Sequence, residues 1–287
     1  MTPLQWDIQK TLRVNRDGSR TTQYQRKMMA FRFAKDIDGL GFRGLRLRGI
    51  GNRHVDKAVN RWKQQGLSHA TIMNRLSVIR WLGQKINKPN LGYDSNARFG
   101  LNGRSQPRFN RAQRLTVSVT GKATDPYARV SFKLQAAFGL RRSEAMKIQP
   151  RWADRGTKLV LKGSWTKGGR PREIPIRTPY QRGVLEEAKR LAGNGSMIPP
   201  HKSYKQHLHT WEHETRKAGL SKTHGLRHAY AQTRYYELTG WKSPMQGGPP
   251  RDTLNDDQRE LDSQARRQIA EELGHARISI TYVYLGR

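Results

Sequence analysis

Cysteine is absent from the 287 residues, which excludes disulfides and thiolate metal sites and leaves no redox compartment to read. Acidic side chains are scarce: 22 Asp and Glu face 55 Lys and Arg, for a formal charge of +33. No run approaches the roughly 18 apolar residues of a membrane-spanning helix. The opening stretch, MTPLQWDIQKTLRVNRDGSR, is polar and lacks the apolar segment of a signal peptide. These absences point to a cytoplasmic protein with no membrane partner. The surplus of cations favours a polyanion, and nucleic acid is the expected one. Seven Trp and ten Tyr within a 34% hydrophobic content supply cores that a disordered basic tail would lack. The length suits two domains better than one.

Hydrophobic periodicity divides the chain. Residues 1–20 read as a mobile basic arm closing on a turn at Asp17-Gly18. Over residues 21–90 the spacing predicts helices from Thr22 to about Ile37, from His54 to Gln65, and from His69 to about Lys85. Val55, Ala58, Val59 and Trp62 share one face of the second, and Ser68 caps the third. The Asn-, Gly- and Arg-rich stretch at 91–114 reads as a basic linker. Residues 115–287 then carry helices near 127–138, from Ser143, and over about 180–192, 202–218, 224–237 and 265–273. A β-hairpin is expected from Thr157–Lys162 and Arg172–Ile176, turning at Lys167-Gly168-Gly169. Thr239–Asp262, with its Gly-Gly-Pro-Pro, reads as a surface insertion. The fold class is therefore mostly α with a small antiparallel β-sheet (α+β).

Four islands hold residues suited to phosphate chemistry. Arg141, in Gly139-Leu140-Arg141-Arg142-Ser143-Glu144, sits between a helix that ends in glycine and one that begins, so its fork can enter a cleft and grip a phosphate. Read alone it is a solvated arginine. Glu144 can hold Arg141 or a later arginine in place. Lys167, at the expected hairpin tip, is either a general acid with long reach or a solubilising turn lysine. His224 and Arg227, in His224-Gly225-Leu226-Arg227-His228, are three apart and share a helix face, while His228 is expected to pack elsewhere. His275 follows Leu273-Gly274 at a helix end, where it can meet a phosphate oxygen or serve only as a C-terminal cation. Tyr284 lies nine positions further on, and a phenol oxygen can attack a phosphodiester and hold the broken strand covalently. Tyr282 is the rival, pointing about 200° away on a helix. Gly39-Leu40-Gly41-Phe42-Arg43-Gly44 fits a dinucleotide-loop pattern but follows a helical run rather than a strand. His207, His209 and His213 lack a Cys or carboxylate that would close a metal site.

In this order and spacing the islands resemble the tyrosine recombinase (phage integrase) family over about residues 125–287, and residues 22–88 resemble its N-terminal SAM-like core-binding domain. The resemblance implies a recombinase that cleaves and rejoins double-stranded DNA through a 3′-phosphotyrosine, with neither metal nor other cofactor and no small-molecule substrate. It implies Tyr284 as nucleophile and Arg141, Arg227 and His275 on the phosphate oxygens. Lys167 becomes the acid for the leaving 5′-oxygen, and His224 a proton-transfer group. Family members work as tetramers on paired sites, for integration or excision of mobile elements. A type IB topoisomerase and a catalytically inactive DNA-binding protein are the alternatives. Two departures stand out: Arg227 and His275 are further apart than is usual, and only Leu285, Gly286 and Arg287 follow Tyr284. The second departure leads to the expectation of a final helix that is mobile until DNA or a neighbour fixes it.

Overall fold

A computed structural model describes residues 1–101 and 109–287. The chain forms two compact units, Met1–Ser105 and Gln106–Arg287. The centre of the expected linker, residues 102–108, lies outside the described residues.

The first unit is helical: α1 (Pro3–Val14), α2 (Arg20–Asp38), α3 (Asn52–Gln64) and α4 (His69–Lys85). Helix α4 starts where Ser68 accepts the Thr71 amide, as the sequence predicts. The α3 stripe of Val55, Ala58, Val59 and Trp62 is fully buried. Trp62 finds a partner for its indole N–H in Asp36 Oδ2 at 2.7 Å, and the Arg75 guanidinium lies 4.8 Å from the Trp62 ring centre. That arrangement buries a large aromatic without stranding its donor.

The expected mobile arm is instead part of this core. Leu4 and Ile8 are buried, and a capping box between Thr2 and Gln5 fixes the start of α1. Asp7 accepts the Leu47 amide at 3.0 Å, and Asp17 binds Arg26 and the Trp81 indole. The polar composition hid an amphipathic helix with only two strong anchors. The expected linker is corrected on both flanks. Leu91, Phe99 and Leu101 are buried in the first unit, while Gln113 donates its amide to the Gly225 carbonyl in the second.

The second unit runs α5 (Val117–Lys122), α6 (Pro126–Phe138), α7 (Arg142–Lys147), α8 (Pro150–Ala153), β1 (Lys158–Leu161), β2 (Arg172–Pro175), α9 (Pro179–Ala192), α10 (Tyr204–Lys217), α11 (His224–Thr239), α12 (Asp256–Glu272) and α13 (Tyr282–Leu285). The strands pair antiparallel, with Leu159 opposite Ile174 and Leu161 opposite Arg172. They are joined by a loop that holds a 3-10 turn at Gly163–Trp165 and then the expected glycine turn, where Gly168 and Gly169 have φ of +84° and +72°. Helix α12 begins nine residues earlier than the periodicity predicts, so the C-terminal part of the expected insertion is helical. Within that segment Ser243, Leu254 and Asp262 are buried anchors, while most of its other residues lie at the surface as expected.

Truncating Ile8 to alanine is expected to destabilise the first unit by about 2–5 kcal/mol, the usual cost of emptying a buried aliphatic site. Urea unfolding followed by Trp fluorescence checks this; an unchanged midpoint would restore the mobile-arm reading.

Candidate active site

The site grows from two glycine-terminated helix ends. Helix α6 closes on Gly139, whose φ of +60° and whose neighbours Tyr230 and Leu273, 2.6 and 2.8 Å from where a Cβ would sit, leave room only for glycine. Helix α12 closes on Gly274 in a Schellman turn: the Gly274 amide donates to the Glu271 carbonyl, and the His275 amide to that of Ala270. The carbonyls of Gly139 and Leu273 thereby converge on the Arg227 guanidinium, which is fully buried and donates to both.

The third Arg227 donor, Nε, reaches the Tyr284 hydroxyl at 3.3 Å. His275 Nε2 lies 3.2 Å from the same oxygen and His224 Nε2 3.5 Å from it. Tyr284 itself is only 3% exposed. Its ring lies 4.6 Å from that of His228, one helical turn beyond His224 on α11. Tyr282 faces elsewhere, its ring stacked on Arg266 and Arg287. The expectation of a loose final helix is corrected: Leu285 is fully buried, and hydrogen bonds hold the backbone carbonyls of Tyr284 and Gly286.

Arg141 joins through a carboxylate. Glu144, fully buried, accepts Arg141 Nη1 at 2.8 Å and the Arg141 amide at 2.7 Å. It also takes both terminal nitrogens of Arg172, at 2.8 and 2.7 Å. Arg172 in turn donates from Nε to the Glu272 carbonyl. Burial would raise the Glu144 pKa, but Arg172 and Arg141 outweigh it and hold the carboxyl down at about 2. No other protein group among the described residues bonds the remaining Arg141 donors, which are free for an anion.

Of the six residues singled out in the sequence, five therefore share one cluster. Lys167 does not. It lies exposed in the β1–β2 loop, without a hydrogen-bond partner among the described residues. Arg172, and Gln232 with its bond to the Tyr284 carbonyl, were not singled out, and the expectation that His228 packs elsewhere is corrected by its ring lying against that of Tyr284. Arg172 had a legible signal, since period-two alternation puts it on the same strand face as buried Ile174. His207 is buried beside Tyr127, whereas His209 and His213 of the same helix are exposed, so the three do not converge.

Electrostatics separates the groups by protonation state. Burial, then the arginine charges, lowers His275 to about 3, with Arg227 the nearest cause. His224 falls to about 4 for the same reasons, although the residue is exposed to solvent. Burial, with His224 next, lowers His228 to about 4. All three rings are neutral at pH 7. Burial also lowers Arg227, but only to about 10, so it keeps its charge.

The model for the phage integrase N-terminal domain matches residues 1–89, and the integrase model matches residues 105–233. Together they span most of the chain. It belongs to the tyrosine recombinase family. Its enzyme class is accordingly that of site-specific DNA recombinases. Solved structures of similar fold include the Tn1549 transposon integrase in complex with circular intermediate DNA, at 13% identity and TM-score 0.61 over 100% of this chain and 96% of that one. XerH recombinase bound to palindromic difH is similar at 16% identity and TM-score 0.62, over 98% and 80%. A lambda integrase tetramer on a Holliday junction matches at 14% and 0.62, over 98% and 77%. No curated protein sequence matches. The integrase model stops before His275 and Tyr284, so the place of those two rests on geometry.

The neutral histidines fix a sign for acid stability. Each ring stays unprotonated in the fold below its ordinary value of 6.5, while the unfolded chain takes up protons there. Stability is thus complete above about pH 6.5 and falls as pH drops towards 4 and 3; Glu144 adds a second loss from 4.5 towards 2. Urea midpoints measured from pH 8 to 4 should decline below about 6.5, and less steeply in His228→Phe. Equal slopes in the two proteins would contradict the assignment.

Proposed function

We propose that this protein recombines double-stranded DNA at specific sites with Tyr284 as nucleophile, serving integration or excision of a mobile element. The observation that carries the reading is the convergence of Arg227, His275 and His224 on one phenol oxygen. In the reaction the Tyr284 oxygen forms a bond to phosphorus as the bond to the 5′-oxygen breaks, leaving a 3′-phosphotyrosine and a 5′-hydroxyl. His224, neutral at pH 7, accepts the phenol proton. A phosphate entering beside it raises its basicity, because an anion favours the imidazolium. Arg141, Arg227 and His275 bind the non-bridging oxygens, the electrostatic contribution that commonly dominates such catalysis. Lys167 supplies the proton to the leaving oxygen, carried to the phosphate by DNA binding or by movement of the β1–β2 loop. The phosphotyrosine conserves the energy of the broken bond, so a 5′-hydroxyl from a second duplex can reverse the step.

The assembly we propose is a homotetramer on two duplexes, by likeness to the lambda integrase tetramer on a Holliday junction. Binding should weaken with salt, each neutralised phosphate contributing about −0.9 to the slope of log affinity against log salt concentration.

A nicked suicide duplex carrying the recombination site should trap a denaturation-resistant adduct with the parent protein and with Tyr282→Phe, and none with Tyr284→Phe. The reverse pattern would move the nucleophile to Tyr282. Lys167→Ala should slow adduct formation by about 10²–10⁴-fold, the usual worth of general acid catalysis. A 5′-bridging sulfur in the scissile position should restore its rate, because thiolate leaves without a proton. Failure of that rescue would remove Lys167 from the acid's role.

A further inference from the structure

Helix α13 is a single turn, and an isolated helix that short does not hold itself together. Its position is set by tertiary bonds, and two of these come from buried side chains that bracket Leu285. Gln232, 2% exposed, donates from Nε2 to the Tyr284 carbonyl at 3.0 Å and to Asn110 Oδ1 at 2.8 Å. Arg266, 0% exposed, donates from Nη1 to the Gly286 carbonyl at 2.9 Å and from Nε to Asp262 at 2.7 Å. Gly286 has φ +79°, and a Cβ there would come within 2.8 Å of the Met245 amide nitrogen, so the segment between α11 and α12 packs directly against the Gly286 α-carbon.

Neither side chain bonds the Tyr284 hydroxyl, and neither is needed to fill a core that a hydrocarbon could not fill. A buried arginine–carboxylate pair adds little to stability compared with well-packed apolar residues. What the pair adds here is a directed donor, aimed at a carbonyl two residues beyond the nucleophile. Gln232 does the same at the nucleophile's own carbonyl, from the helix that carries His224, Arg227 and His228.

We propose that Gln232 and Arg266 are positioning residues for strand cleavage: they clamp the Tyr284–Gly286 backbone within its own subunit, so that the phenol oxygen is presented in cis to the phosphate-binding arginines. The 240–262 segment then has a task, which is to supply Asp262 and the wall against which Gly286 packs. The inference rests on Tyr284 being the nucleophile. Its gain is geometric, since a displacement of about 1 Å at a reacting atom can cost about 10²-fold in rate.

The test uses the full chain and the variants Gln232→Leu and Arg266→Met, with three readouts. These are single-turnover adduct formation at saturating protein on the nicked duplex, DNA affinity on the same duplex, and hydrogen exchange over residues 276–287 without DNA. The clamp predicts adduct formation slower by about 10–100-fold, affinity within about twofold of the parent, and faster exchange confined to 276–287. Parent-like adduct rates, or exchange unchanged in that segment, would overturn it, as would a parallel loss of affinity and rate, the mark of a general structural role. If Arg266→Met does not fold, Gln232→Leu decides alone, because it leaves the Arg266–Asp262 pair intact. A parent protein that makes no adduct refutes the recombinase chemistry instead, and the exchange measurement still decides whether the clamp exists.

Discussion

The structure around the active site depends on a buried cation that has no carboxylate of its own. Arg227 is sealed from solvent, and two of its donors end on the carbonyls of Gly139 and Leu273, at the C-termini of α6 and α12. Helix C-termini carry the negative end of the macrodipole, so they satisfy a guanidinium without neutralising it. A salt bridge would have stabilised the charge and consumed it. Held by carbonyls and neutral side chains, the charge is not cancelled by a carboxylate, and the Tyr284 hydroxyl rests against it. Both helices end on a glycine of positive φ, Gly139 and Gly274, with neighbours too close to admit a Cβ without displacement.

A second arrangement complements the first. Arg141 and Arg172 share Glu144, so the carboxylate fixes two guanidiniums while cancelling one charge. Burial first, and the neighbouring positive charges after it, keep the three histidines neutral in the free protein. A neutral imidazole can accept a proton, whereas an imidazolium already carrying one cannot. The same cluster thus holds fixed positive charge and neutral, proton-accepting rings side by side.

Much of the fold was legible. Helix α4 has the predicted bounds, α3 has the predicted inner face, and the hairpin pairs the predicted strands, because apolar periodicity and capping are local properties. The misreadings have one cause. Helix α1, the 91–101 segment, the start of α12 and the final turn are each too polar or too short to announce burial. They are ordered by single side chains that reach across the unit: Asp7 to the Leu47 amide, Gln232 to the Tyr284 carbonyl, Arg266 to the Gly286 carbonyl.

The sequence by itself determined the helical character, the excess of cations, and the identity and order of Arg141, His224, Arg227, His275 and Tyr284. These follow from residue type and spacing. Only the tertiary structure decided that Tyr284 rather than Tyr282 faces the cluster, and that Arg172 shares Glu144. It also decided that His228 packs on the Tyr284 ring and that Lys167 stands apart. Those outcomes depend on contacts between residues up to 100 positions apart, such as Arg172 with the Glu272 carbonyl, Gly139 with Arg227, and Glu144 with Arg172. No local pattern encodes such pairings, because helix ends and strand faces meet only once the core has closed around them.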